Sequence, residues 1–325
     1  MKIGLLATST DELEDVDVAV RAEEQGYDDV WLPELWGESG VVQATEIATR
    51  TEEIGIRSAI FNVYSRSPAV LAMTAASLQR VSDGRFALGV GTSTSKAVED
   101  LHGAAFDRPV RRAHETIEIV RAYTAGEGRV DYDGELLEVS DFPSLETPVP
   151  IYHAGLGPAN RRVVGRLADG WIPHNIPFSG LEDAFEEVAK AARERERDPG
   201  EITVAPYVPT AVAEDLETAR DAVRQHLAYY VGSGEGYRRA VGTVFPDEAE
   251  RVAAAWSEGN RGEAADAVTD EMVADLGVAG TPEDAEERLE ALVADTVIDH
   301  PIVVVPDPAS SEVTELTLET LAPDR

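Results

Sequence analysis

The sequence predicts an α/β fold, a (β/α)8 TIM barrel with a helical insertion before the last barrel helix. Three observations lead there. Short apolar runs alternate with segments of helical period, four such units falling within about ninety residues of the N-terminus. Four further apolar runs follow, giving eight strands. No low-complexity linker divides the 325 residues. The chain is therefore expected to be a single domain, residues 1–325, in which residues 213–279 form the insertion.

In chain order, "KIGLLAT" reads as the first strand. Ser9 and Glu12 then form a capping box, and Leu13, Val16, Ala19 and Val20 share one helical face before Gly26 stops the helix. "DDVWLPE" is the second strand, "VVQATEIATRTEE" the second helix and "GIRSAIFN" the third strand. Ser67 and Pro68 supply an N-cap and a first helical position for "AVLAMTAASLQRV", which leads to the fourth strand, "GRFALGVGTS". A helix over residues 111–123 precedes a hairpin turning at Asp133 and Gly134. "VPIYHAG", "DGWIPHN" and "ITVAPYVP" read as strands five to seven, and "TVIDHPIVVVP" as strand eight. Residues 213–279 are helical and broken by glycine, too long for one crossover; Thr281 and Pro282 then open the last helix.

Composition narrows the function classes. The chain carries 62 Asp and Glu against 28 Lys and Arg, a net charge of −34, and only Lys2, Lys96 and Lys190 are lysines. A carboxylate surface of this density suits very high salt, and a halophilic archaeal cytoplasm is its natural setting. The 43% hydrophobic content, arranged periodically, argues against disorder. The charge repels a phosphate backbone, so nucleic acid is not an expected partner. No apolar run is long enough to span a bilayer and no basic leader precedes an apolar stretch, so a cytoplasmic protein without a membrane partner is expected. With no cysteine, a thiolate metal site and a thiol nucleophile are excluded, and any redox chemistry must come from a cofactor.

In a barrel of this kind the site lies at the C-terminal ends of the strands. That rule selects Thr8, residues 33–36, 62–64, 89–93, 153–157 and 171–175. In strand four, Phe86, Leu88 and Val90 alternate with Ala87, Gly89 and Gly91, leaving one face bulky and the other bare. Either a ligand or another backbone comes close to that face, and the strand alone does not choose. Gly155 and Gly157 bracket a turn before Pro158, where free N–H groups at a helix start can bind an anion, or where an ordinary strand-to-helix turn sits. HExxH, GxSxG, the Rossmann fingerprint and the P-loop are absent, so neither a metal site nor a serine hydrolase is expected. His153 and His174 fall at strand ends facing the site and are candidates for a general acid or base, with a hydrogen-bonded structural histidine as the equal alternative. Trp36 and Trp171 can pack against a flat ring or belong to the core.

The segments "RAEEQGYDDVWLPELWG", "NVYSRSPAVLAMTAASLQRVSDGRFALGVGTS", "PVPIYHAGLGPANRRVVGRLADGWIP" and "AGTPEDAEERLEAL" resemble, in order, the bacterial-luciferase-like superfamily of barrel oxidoreductases. The resemblance is to the branch using the deazaflavin coenzyme F420, which includes methylenetetrahydromethanopterin reductase. It implies hydride transfer between coenzyme F420 and a small organic substrate, and a homodimer or higher homo-oligomer. It further implies cofactor contacts at Glu34, Ala59, Ile60, Asn62, Gly91, Thr92, Ser93, Gly155, Leu156 and Gly157, with a ring lying across the bare face of strand four. A non-proline cis peptide common in relatives maps to Ala59 and Ile60, and His153, His174 or Glu34 is left to move a proton. Leu6, Leu35 and Leu156 stand where the reductase has polar residues, which predicts an apolar pocket and a substrate less polar than a pterin. Two alternatives remain: a luciferase-like monooxygenase using FMN, and a deazaflavin-binding protein without turnover.

Overall fold

A computed structural model describes residues 1–8 and 14–323. Its first strands are β1 (Gly4–Leu6), β2 (Asp29–Leu32), β3 (Gly55–Ser58), β4 (Phe61–Asn62) and β5 (Phe86–Gly91), alternating with helices α1 (Asp15–Gln25), α2 (Gly40–Arg50) and α3 (Pro68–Val81). Helix α4 (Pro109–Ala125) leads to an antiparallel pair, β6 (Arg129–Asp133) and β7 (Glu138–Pro143). Then come β8 (Ile151–His153), α5 (Pro158–Leu167), β9 (Gly170–Trp171), α6 (Leu181–Arg193), β10 (Thr203–Val204) and β11 (Tyr207–Val212). Helices α7 (Leu216–Ser233), α8 (Glu235–Val241), α9 (Pro246–Ser257), α10 (Arg261–Asp266) and α11 (Asp270–Leu276) precede β12 (Val278–Gly280), α12 (Pro282–Asp295), β13 (Ile302–Val304) and α13 (Ser311–Thr320).

The main sheet is parallel and curled, in the order β10-β9-β8-β5-β3-β2-β1-β13-β11-β12, with β4 beside β5. One stretch of chain supplies both flanks: β10 pairs with β9, and β11 pairs with β13. Ala205 N donates to the Trp171 carbonyl at 2.8 Å and Ile302 N to the Pro206 carbonyl at 2.9 Å, so the flanks meet at two residues. Pro206 has no N–H to offer a ladder, which is why strand seven of the sequence reading is two short strands. The third predicted strand is also divided, at a cis Ala59–Ile60 peptide between β3 and β4.

Other boundaries differ from expectation. The five helices α7 to α11 stand between β11 and β12, ahead of α12, the helix that Thr281 and Pro282 open, but α13 follows the last strand, so α12 is not the final helix. Asp133 pairs with Glu138, and the hairpin turns through 134–137, because the buried Glu115 carboxylate accepts the N–H groups of Glu135, Leu136 and Leu137 at 2.7 to 3.0 Å. The capping box at Ser9 and Glu12, with Leu13, lies outside the described residues. Ser67 does cap α3, its hydroxyl accepting Val70 N at 3.3 Å, and Gly26 ends α1 at φ +89°.

Strand alternation sends Val30, Leu32, Ile56, Phe86 and Leu88 outward against the helices, and Trp31, Ala87, Tyr152, Ile172 and Ile302 into the lumen. The bare face of β5 is filled by protein. A Cβ on Gly89 would fall on the Ser58 carbonyl oxygen, and one on Gly91 would lie 3.0 Å from the Ile60 side chain. Of the two readings of that face, close approach of another backbone holds at Gly89. Ser58 locks the approach by exchanging hydrogen bonds with Gly89, 2.9 Å to its carbonyl and 2.8 Å from its N–H.

At the strand starts the lumen holds a charged cluster. Asp29 meets Arg57 at 2.8 Å and His300 at 3.2 Å, while the Arg57 guanidinium lies 5.3 Å from the Trp31 ring and 5.1 Å from that of Tyr152. Helices α7 to α11 have a core of their own, built on Leu227, Val231, Val252, Met272 and Leu276. Among the described residues, no helix is long and apolar enough to cross a membrane.

Candidate active site

The predicted site residues lie at or just beyond the C-terminal ends of the parallel strands. After β2, Glu34 is held from three directions: Arg66 Nη1 at 2.5 Å, Arg66 Nη2 at 2.8 Å and the Gly40 N–H at 2.9 Å. The carboxylate is thus spent on a bidentate pair and on the first turn of α2, a holding arrangement with little left for proton transfer. Arg66, absent from the sequence reading, lies over the Phe61 ring at 4.7 Å and ties the turn after β4 to that after β2.

On β4, Asn62 Oδ1 accepts Tyr64 N at 2.8 Å, and its Nδ2 is buried without a partner. Past β5, Ser93 takes φ +56° beside Thr92. The turn after β8 is packed at Gly155, where a Cβ would sit 3.0 Å from Asn160, and open at Gly157, where it would meet nothing within 4 Å. Trp171 is core: fully buried, its indole N–H donates to the Gly155 carbonyl at 2.7 Å and fixes that turn. Trp36, in contrast, is 80% exposed.

His153 has no accessible surface. Its Nδ1 donates to the Val90 carbonyl at 3.1 Å and its Nε2 lies 3.2 Å from the Asn160 side-chain amide. Burial pushes its pKa down, against the opposing pull of those two partners. Both nitrogens being engaged, the structural alternative fits His153 better.

His174 sits differently. Its ring packs against Tyr207 at 4.7 Å, Tyr230 at 4.4 Å and Tyr237 at 5.0 Å, and His226 lies 6.4 Å away. The Nε2 atoms of His174 and His226 are both buried without a partner. Burial, with a smaller repulsion from His226, holds His174 well below the ordinary histidine value, and burial brings His226 down to about 4. The tyrosines move the other way: burial lifts Tyr207 well above 10 and Tyr237 up to about 12. Near neutral pH the cluster is therefore uncharged, a box of two neutral imidazoles and three phenols. Tyr207 also spans the lumen, its hydroxyl donating to the Ala59 carbonyl at 2.5 Å. Next to His174, Asn175 is held at φ +55° with both side-chain polar atoms buried and unpartnered.

Sequence reasoning found His174, placed Asn175 at the same strand end, and missed Tyr207, His226, Tyr230 and Tyr237. One signal was available, the i, i+4 spacing of His226 and Tyr230 on α7, but nothing local says that this helix face folds back onto β9. The three leucines expected to make one apolar pocket occupy three settings: Leu6 lies in the lumen, Leu156 against Gly236 of α8, and Leu35 is 52% exposed. Leu35 is kept from such a pocket because its turn faces solvent.

Comparison with known proteins adds the following. A family model described as luciferase-like monooxygenase matches residues 6–300. A 5,10-methylenetetrahydromethanopterin reductase of Methanolobus tindarius is 28% identical over 276 residues, covering 84% of each chain. The solved coenzyme F420-dependent tetrahydromethanopterin reductase of Methanopyrus kandleri superposes with TM-score 0.80 over 99% of this chain and 97% of its own, at 22% identity. An F420-dependent secondary alcohol dehydrogenase, solved in complex with an F420-acetone adduct, superposes with TM-score 0.79 over 99% and 98%, at 19% identity. These two structures share the fold of this chain.

Proposed function

Because the chain belongs to the luciferase-like monooxygenase family, we propose that it works as a coenzyme F420-dependent oxidoreductase on a small organic substrate. The observation that carries this is the reductase of Methanolobus tindarius, matched along 84% of both chains. When bound, the deazaflavin supplies two-electron hydride chemistry; the chain supplies position, exclusion of water and a proton. Buried polar atoms without partners, Asn62 Nδ2 and both ends of the Asn175 amide, fit the hydrogen-bonding edge of such a ring. Ala59, Ile60, Gly91, Thr92 and Ser93 form the remainder of the cradle in this reading, Glu34 holds it through Arg66, and Gly155, Leu156 and Gly157 take the cofactor's anionic tail at the open start of α5.

Of the three acid-base candidates, His174 is the one with an uncommitted nitrogen, and we assign it the proton. Residues 1–325 are read as one (β/α)8 domain, residues 213–279 as an insertion covering the mouth, and the protein as a cytoplasmic homodimer or higher homo-oligomer. The acidic surface is read as halophilic. Of the ion pairs among the described residues, lysine enters one, Lys96 with Asp100, and arginine supplies nearly all the rest. The melting temperature is then expected to rise between dilute buffer and molar KCl.

Fluorescence titration of F420 and of FMN, side by side in molar salt, tests the central reading. Binding of F420 alone is the expected result. Preference for FMN overturns it in favour of the monooxygenase, and F420 binding without turnover on any donor or acceptor leaves a carrier.

A further inference from the structure

Behind the box at the mouth lies a cavity of about 860 Å³, between α7, the α9–α10 turn, the start of α11 and the chain after β13. Small-molecule sites commonly measure ~300–1,000 Å³. Tyr229, Tyr230 and Trp256 wall it, Tyr229 standing edge-to-face with both neighbours at 5.1 and 5.6 Å. Trp256 can lie against α7 because residue 232 is glycine; a Cβ there would fall on the indole. His226 lines the same cavity, 6% exposed, with its Nε2 unpartnered. Through His226 and Tyr230 the cavity shares a wall with His174.

Charge selects the occupant. Arg224 is consumed by Asp221 at 2.6 Å, Asp270 at 2.5 Å and Glu217 at 3.2 Å. Arg261 lies over Trp256 at 3.5 Å and bonds that residue's carbonyl at 2.7 Å. Asp266 and Asp307 add exposed carboxylates to the wall, in a chain of net charge −34. An anion entering here meets four lining aspartates against two guanidinium groups, one of them already paired with three carboxylates, whereas a flat uncharged molecule meets three aromatic rings with the unpartnered His226 Nε2 buried behind them.

We propose that this cavity is a ligand site for an uncharged, ring-sized organic molecule carrying a hydroxyl or carbonyl that bonds His226 Nε2. Its role as the substrate chamber rests on the oxidoreductase reading; the site itself does not. Isothermal titration of the full chain with naphthalenemethanol and with naphthoate, without cofactor, tests it. The alcohol is expected to bind and the carboxylate to bind at least tenfold more weakly. His226→Phe keeps the ring contacts and is expected to weaken the alcohol about fivefold, the worth of one hydrogen bond. Gly262→Trp plugs the cavity from a position where a Cβ meets nothing within 4 Å, and is expected to weaken the alcohol at least tenfold. No binding by the wild type, equal binding of carboxylate and alcohol, or undiminished binding by Gly262→Trp overturns the proposal. F420 titrated into the same variants separates the two readings: alcohol binding without F420 binding keeps the cavity and removes the oxidoreductase, and the reverse result does the opposite.

Discussion

The two ends of the lumen differ in whether their buried polar groups include an ion pair. At the strand starts, Asp29 and Arg57 are brought together as opposite charges and a neutral His300 stands 3.2 Å from the same carboxylate, with Trp31 and Tyr152 packed around them, although His300 Nε2 and Trp31 Nε1 make no hydrogen bond. At the strand ends, His174 and His226 have neither a carboxylate nor a hydrogen bond at Nε2, and only aromatic rings for company. A satisfied buried pair resists removal of either member, whereas an unsatisfied neutral group is already destabilising where it stands. The lower end is therefore built around an ion pair that holds the sheet, whereas the upper end has neutral imidazoles among aromatic rings and no carboxylate to hold them.

Substitutions at the two ends should separate these roles. His174→Phe, which preserves the ring contacts, is expected to lower turnover by roughly a hundredfold to ten-thousandfold, the range for loss of a general acid or base, while changing stability by less than about 1 kcal/mol. Steady-state rates beside a urea melt check both halves, and a large stability loss would place His174 with the structural group. Arg57→Leu should do the reverse, costing about 3–5 kcal/mol because the Asp29 carboxylate is left buried and uncompensated. A fall in the denaturation midpoint of that size is the result to look for.

Acid should strain both ends together. Burial brings His300 and His226 each down to about 4, from the ordinary 6.5 that they regain on unfolding. Between those values the unfolded chain binds more protons, so stability is full above about pH 6.5 and falls as pH drops toward about 4. Each histidine contributes roughly 3 kcal/mol over that window. Melts across the window, repeated with His226→Phe, should show the share of the acid sensitivity that belongs to His226 removed and the shares of His174 and His300 kept. The smallest effect belongs to the link between the ends: Tyr207→Phe removes the hydrogen bond to the Ala59 carbonyl and should cost about 1 kcal/mol, with a measurable loss of F420 affinity.

Much of this was legible from residue order. The alternation of Phe86, Leu88 and Val90 with Ala87, Gly89 and Gly91 correctly assigned a bulky and a bare face, since a period of two belongs to the strand itself. What fills the bare face was not legible, because Ser58 and Ile60 reach it from another strand. Ser67 and Pro68 foretold a helix start from local chemistry alone. The hairpin was placed correctly but its turn was drawn too tight: Glu115, about twenty residues earlier, gathers the N–H groups of residues 135–137, and Gly134 leaves room for that carboxylate. In the site, His174 could be placed by strand-end logic, but Tyr207, Tyr230 and Tyr237 become neighbours only through tertiary packing, and single tyrosines carry no signature. Glu34 looked like free acid-base capacity until Arg66 appeared beside it.

The way the sheet is joined carries a consequence for how the protein is made. Strand β1 is made well ahead of its partner β13, which begins at Ile302. Until residue 302 is made, that edge of the growing sheet offers unpaired N–H and C=O groups to any passing strand. The segment that finally unites the flanks, Thr203 to Val212, waits for the same late arrival, because β11 also pairs with β13. A ribosome making this chain thus carries an open sheet until β13 has been made, an interval in which edge-to-edge pairing between copies competes with folding.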